Sequence, residues 1–134
     1  MHIRSEANLR TFYVVLILLV VFLVGWFFMY DSIDKHTSIF IKSLDHISET
    51  IKDENWDLVS LEYTKIRNNW TKIRKLLTVL LDHHEIDNID LSMARADQYI
   101  YTKNSPLSLG EIEVLKQLFI IVKESESFTL TNLF

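Results

Sequence analysis

The stretch richest in chemically useful side chains is Asp82-His83-His84-Glu85-Ile86-Asp87-Asn88-Ile89-Asp90. Imidazole nitrogen and carboxylate oxygen are the donors that zinc, manganese and iron sites use. On a helix His83 and Asp87 stand four residues apart and Asp90 three further, which lines them along one edge. The spacing is neither H-E-x-x-H nor a calcium loop. Three donors from one edge leave a coordination shell open. A metal or small-ligand site on His83, Glu85 and Asp87 therefore needs help from Glu49, Glu54 or Glu124. The competing expectation is a helix–helix junction, in which Asp82 or Asp87 caps a helix start and nearby acidic groups offset the positive end of its dipole. The junction is the expectation adopted, and no metal or cofactor is assigned. No nucleophile–base pair, phosphate loop or separated acid pair is recognisable, so an enzyme is not expected.

Two further groups bear on partners. Leu91 and Arg95 point away from the apolar stripe of the same segment, as a second contact face would, with the guanidinium suited to a partner's carboxylate. Lys65, Arg67, Lys72, Arg74 and Lys75 fall on the flanks and back of another stripe and read as a solvated face. Anionic polymer or lipid headgroups are the alternative for that run.

The elements that must position these groups are helical. Ile33, Thr37, Phe40, Leu44, Ile47 and Ile51 recur at spacings of four and three, as one face of a helix requires. A break is expected at Asp53-Glu54-Asn55, where short polar residues can cap a new helix. The second stripe is Trp56, Val59, Tyr63, Ile66, Trp70, Ile73, Leu77 and Leu80. A third places Ile86, Ile89, Met93, Ala96 and Ile100 together. A fourth helix is expected to open on Ser108-Leu109-Gly110-Glu111 as a capping box and to carry Ile112, Leu115, Phe119 and Val122. The tail from Phe128 to Phe134 is apolar enough to pack back. Four such helices with short connections predict an all-α antiparallel bundle, and Trp56, Tyr63 and Trp70 read as core.

Residues 12–30, Phe12 to Tyr30, contain no charged side chain and would span about 28 Å as a helix, close to a bilayer's apolar thickness of about 30 Å. The run is too long, and Gly25-Trp26-Phe27-Phe28-Met29-Tyr30 too bulky, for a cleavable signal peptide. It reads as a transmembrane helix, with a short cytoplasmic stretch at 1–11 and an extracytoplasmic helical domain at 31–134. The orientation follows from Arg4 and Arg10 before the run and Asp31 and Asp34 after it. With Arg4, Arg10 and Glu6 set aside, residues 31–134 hold 12 Lys+Arg and 17 Asp+Glu, a net −5. That balance argues against nucleic acid or an anionic lipid surface as the main partner. The chain has no cysteine, which excludes a disulfide or thiolate-metal framework. The first stripe extends back through Trp26 and Tyr30, so span and first outer helix are expected to be one long helix.

Several of these features together resemble one bacterial family. They are the amino-terminal span, Trp56 and Trp70 two heptads apart, Asp82-His83-x-Glu85-Ile86-Asp87 followed by Ile89, Leu91, Arg95 and Tyr99-Ile100, and the Asn132-Leu133-Phe134 ending. The family is the domain of unknown function numbered 4363, small single-span proteins mainly of spore-forming Firmicutes. The resemblance implies a bacterial cell-membrane protein with an all-helical outer domain. It brings no activity, cofactor or catalytic residue. The function expected is a membrane-anchored interaction or scaffold module of the cell envelope, contacting the bilayer through Phe12–Tyr30. Its partner would be another membrane or envelope protein, or a second copy of the chain. The alternative is a ligand- or metal-binding domain using Asp82–Asp90.

Overall fold

The computed structural model describes residues 3–131, with side chains placed for residues 9–125. The tail expected to pack back and the Asn132-Leu133-Phe134 ending lie outside the described side chains. Four helices and no strand occur among the described residues: α1 (Ile3–Lys52), α2 (Trp56–Leu80), α3 (His83–Tyr101) and α4 (Ser105–Thr131). The chain divides into two compact units, residues 1–32 and 33–134, with the boundary inside α1.

The first unit is helix alone. Its most apolar 18-residue window has a mean hydropathy of 2.8, and none of that window is buried. Side chains from Phe12 to Phe28 that would be core in a soluble protein are exposed instead. The helix is thus long and apolar enough to cross a bilayer.

The second unit is an up-down-up-down bundle, and its cross-helix bonds define the neighbours. On α2, Glu62 meets Thr50 and His46 of α1. Arg67 pairs with Asp97 of α3 and Arg74 with Asp90, so α2 and α3 are antiparallel. Ser92 and Arg95 of α3 meet Glu111 of α4. Lys116 and Lys123 of α4 return to Asp45 and Asp34 of α1, which closes the ring. Every predicted stripe faces the centre. Ile33, Phe40, Leu44, Ile47 and Ile51 join Val59, Tyr63, Ile66, Trp70 and Leu77, then Ile86, Ile89, Met93, Ala96 and Ile100, then Ile112, Leu115, Phe119 and Val122. Thr37 is tolerated in the first stripe because its hydroxyl donates to the Ile33 carbonyl at 2.8 Å, leaving its methyl to pack.

The aromatic centre draws on three helices. Phe40 and Phe119 stack at 4.6 Å and 3°, and Trp70 meets both edge-on at 6.4 and 5.7 Å. Aromatic pairs prefer stacked and T-shaped arrangements because ring edges are positive and faces negative.

Two of the three connections use the same device. Glu54 and Lys103 hold positive φ, 55° and 53°. Each follows a helix whose last carbonyls receive the bonds of a Schellman turn: Glu54 N–H donates to Ile51 and Asn55 N–H to Thr50, Lys103 N–H to Ile100 and Asn104 N–H to Tyr99. The asparagine that follows then caps the next helix, Asn55 accepting from Leu58 N–H and Asn104 from Leu107 N–H. The expected capping box at Ser108 is therefore corrected. α4 begins one turn earlier, at Ser105, with Pro106 in the first turn, where a missing N–H costs nothing. Ser108 is a buried interior residue, and Glu111 turns sideways to α3 instead of back to a cap.

Candidate functional site

The α2–α3 connection places the residues of the histidine-acid segment. Asp82 is the N-cap of α3, its Oδ1 accepting from His84 N–H at 3.0 Å. His83, His84 and Asp87 are exposed and Glu85 is half-buried. Of the carboxylates expected to complete a ligand set, Glu49 lies near the end of α1, Glu54 in the α1–α2 turn and Glu124 in α4, where it is exposed. The 25 residues of α2, about 37 Å of helix, separate the first two from the α2–α3 turn. Among the described residues no group of three or more histidine or acidic side chains is placed to hold a metal ion.

Asp90, the last acid of that segment, has a different task. Its Oδ1 accepts from Trp70 Nε1–H at 2.7 Å, and its Oδ2 accepts from Arg74 Nε and Nη2 at 2.7 and 2.6 Å. The fork satisfies both carboxylate oxygens and the one polar atom of a buried indole. Through Trp70 it ties α3 to the aromatic centre. Close by, Tyr63 donates to the Met93 carbonyl at 2.6 Å. Burial pushes its phenol well above the usual range, so it stays protonated as a donor. The basic run of α2 is thus only partly a solvated face, since Arg67 and Arg74 are cross-helix partners while Lys65, Lys72 and Lys75 are exposed.

Arg95 meets its carboxylate within the chain. Its Nη2 donates to Glu111 Oε1 at 2.7 Å, and Ser92 Oγ donates to the same oxygen at 2.7 Å. Glu111 is 9% exposed. Burial alone would raise its pKa, but the bonds from Arg95 and Ser92 and the guanidinium's charge outweigh that and hold it below the ordinary value. The sequence pattern marked Arg95 without its partner, because the pairing joins two helices.

Near this pair, α3 and α4 each carry exposed apolar side chains. Leu107 and Val114 stand four before and three after Glu111, hence on the flank of α4 that Glu111 turns toward α3. Ile121 continues that flank seven residues on, and Leu91 lies one turn from Arg95 on α3. All four are exposed: Leu91 58%, Leu107 48%, Val114 44% and Ile121 51%. Leu91 was legible as an outward residue. The α4 stripe went unread, although its seven-residue repeat was the available signal.

The family model for the Domain of unknown function (DUF4363) matches residues 27–133. The chain belongs to this family. The match takes in the whole DUF4363 bundle, including the Asp82 cap, the Asp90 fork and the Arg95–Glu111 pair. Comparison with curated proteins and with solved structures gives no match. Of the groups legible as chemistry, Asp82 is a cap and Asp90 and Arg95 are cross-helix locks, while His83, Glu85 and Asp87 hold neither role. Leu91 on α3 and Leu107, Val114 and Ile121 on α4 are among the apolar side chains those locks leave exposed.

Proposed function

We propose that this chain is a membrane-anchored helical interaction module, crossing the bilayer through residues 12–30 and presenting the bundle outside the cell membrane. The supporting observation is the α3/α4 seam, where Leu91, Leu107, Val114 and Ile121 are exposed around an ion pair already neutralised within the chain. Isolated exposed apolar residues are ordinary, but an aligned set rimmed by polar groups is characteristic of protein-contact surfaces. The partner class is another membrane or envelope protein, or a second copy.

The absence of cysteine makes the test clean. Single-cysteine variants Leu91→Cys and Val114→Cys, carrying a photo-crosslinker in membranes, should each give one discrete adduct. Ile121→Asp should abolish it while leaving the melting transition intact. A folded, membrane-inserted protein that gives no adduct at either position would sink the proposal. Histidine-acid metal binding is the second reading and has less support, since among the described residues no group of three or more histidine or acidic side chains is gathered at His83, Glu85 and Asp87.

A further inference from the structure

Three seams of the bundle are locked by a cation on one helix and a carboxylate on the next. Arg67 and Arg74 of α2 meet Asp97 and Asp90 of α3, Arg95 of α3 meets Glu111 of α4, and Lys116 and Lys123 of α4 meet Asp45 and Asp34 of α1. The α1/α2 seam differs. Its polar bonds, among the described residues, are confined to one end, where Glu62 meets His46 and Thr50. Lys65, Asn69 and Lys72 follow at spacings of four and three, which places them on one ridge of α2. Their side chains, with those of His36 and Ser43 across the seam on α1, make no hydrogen bond or ion pair among the described residues.

The seam is open where the lock is missing. One cavity of about 300 Å³ is lined by His36, Ile39, Phe40, Lys72 and Ile73, and a second of about 230 Å³ by His46, Glu62 and Lys65. Ser43, Ile66 and Asn69 line both, so the two adjoin as one groove. Its volume falls in the range of small-ligand clefts, about 300–1,000 Å³. Along α1 it runs the ten residue steps from His36 to His46, about 15 Å. The part nearer His36 is apolar: Ile39 is 48% exposed and Ile73 half-buried, with the buried Phe40 and Ile66 beside them.

We infer that this groove binds a small amphiphilic carboxylate. The head sits at Asn69, between Lys65 and Lys72, where it accepts hydrogen bonds from the Asn69 amide and from the lysine ammonium groups on their flexible stems. It supplies the negative partner that the other three seams draw from the chain itself. The aliphatic body lies over Ile39 and Ile73 and takes their apolar surface out of water. Both halves are needed, since a bare anion leaves that surface wet and a neutral chain leaves the lysines unpaired. The groove lies within one compact unit, apart from the Asp82–Asp90 segment and from the exposed apolar side chains of α3 and α4. It therefore stands or falls independently of the contacts proposed for those helices.

The full chain in lipid nanodiscs, with its isoleucine methyl groups labelled, is titrated with sodium octanoate and followed by NMR. Saturable shifts are expected at Ile39, Ile66 and Ile73, with none at Ile121, which is exposed on α4 outside the groove. Because the signals belong to named residues, octanoate that merely enters the bilayer does not imitate them. Octanol and acetate, each carrying one half of the ligand's chemistry, should bind at least about tenfold more weakly. Lys65→Gln combined with Lys72→Gln should weaken octanoate at least about tenfold as well. Both positions are exposed, so the fold is expected to persist, and an unchanged signal from the buried Ile112 checks that it does. Absence of saturable shifts at Ile39, Ile66 and Ile73 would overturn the inference. So would octanol, or the double variant, matching octanoate on the native chain, which would reduce the groove to an unselective apolar contact.

Discussion

At the scale of single residues, Asp90, Arg95 and Glu111 hold helices of the bundle to one another. Glu111 carries a testable pH dependence. Its folded pKa lies below the ordinary value of 4.5, so the stability it contributes is complete above that value and is lost as the pH falls through the folded one. Glu111→Gln keeps an acceptor for Ser92 and loses the charge facing Arg95. It should lower the melting temperature in detergent at pH 7 and have a shrinking effect as the pH falls below 4.5. A pH-independent deficit would contradict the assignment. Trp70→Phe preserves the edge-on packing on Phe40 and Phe119 but removes the donor to Asp90, at a cost of about 0.5–1.5 kcal/mol. Phe119→Ala empties the stacked position and should cost about 3–5 kcal/mol. Denaturant midpoints of the two variants would separate hydrogen bond from packing.

At the scale of elements, the connections are where local rules and the observed structure can be weighed. Asn104→Ala should cost about 1 kcal/mol, as loss of a helix cap does. Ser108→Ala should be close to neutral, because no hydrogen-bond partner is placed for its buried hydroxyl. The reverse order would restore Ser108 as the cap. Glu54→Gly and Lys103→Gly should each raise stability by about 1 kcal/mol, since only glycine adopts positive φ without a side-chain penalty. The helices themselves were plain in the sequence. A period of 3.6 leaves a recurring stripe, and the predicted stripe residues of all four helices pack toward the centre, Trp56, Ile73 and Leu80 only partly buried. The start of α4 was not plain. Ser108-x-x-Glu111 has the pattern of a capping box, while Asn104 with Pro106 two residues on makes an equally local signal. Only the Schellman turn at Lys103 decides between them. The partners of Arg67, Arg74 and Arg95 were out of reach for another reason. They lie 30, 16 and 16 residues away, on faces that become neighbours only when the bundle closes.

At the scale of the whole molecule, the proposed orientation has its own check. With residues 31–134 outside the cell, Gln98→Cys should react in intact cells with a membrane-impermeant maleimide, and Arg10→Cys should react only after lysis. The opposite pattern would invert the topology. The closure of the ring also has a consequence for biosynthesis. The bonds from α4 to α1 span 71 and 85 residues, Lys116 to Asp45 and Lys123 to Ser38, so the first helix made is completed by the last. A nascent chain therefore carries Phe40 of α1 without its stacking partner until α4 is made. Long-range closure of this kind is slow and leaves sticky surface exposed meanwhile. A ribosome stalled before Phe119 would hold a chain lacking one of the three rings of its aromatic centre, a substrate for chaperones or membrane proteases.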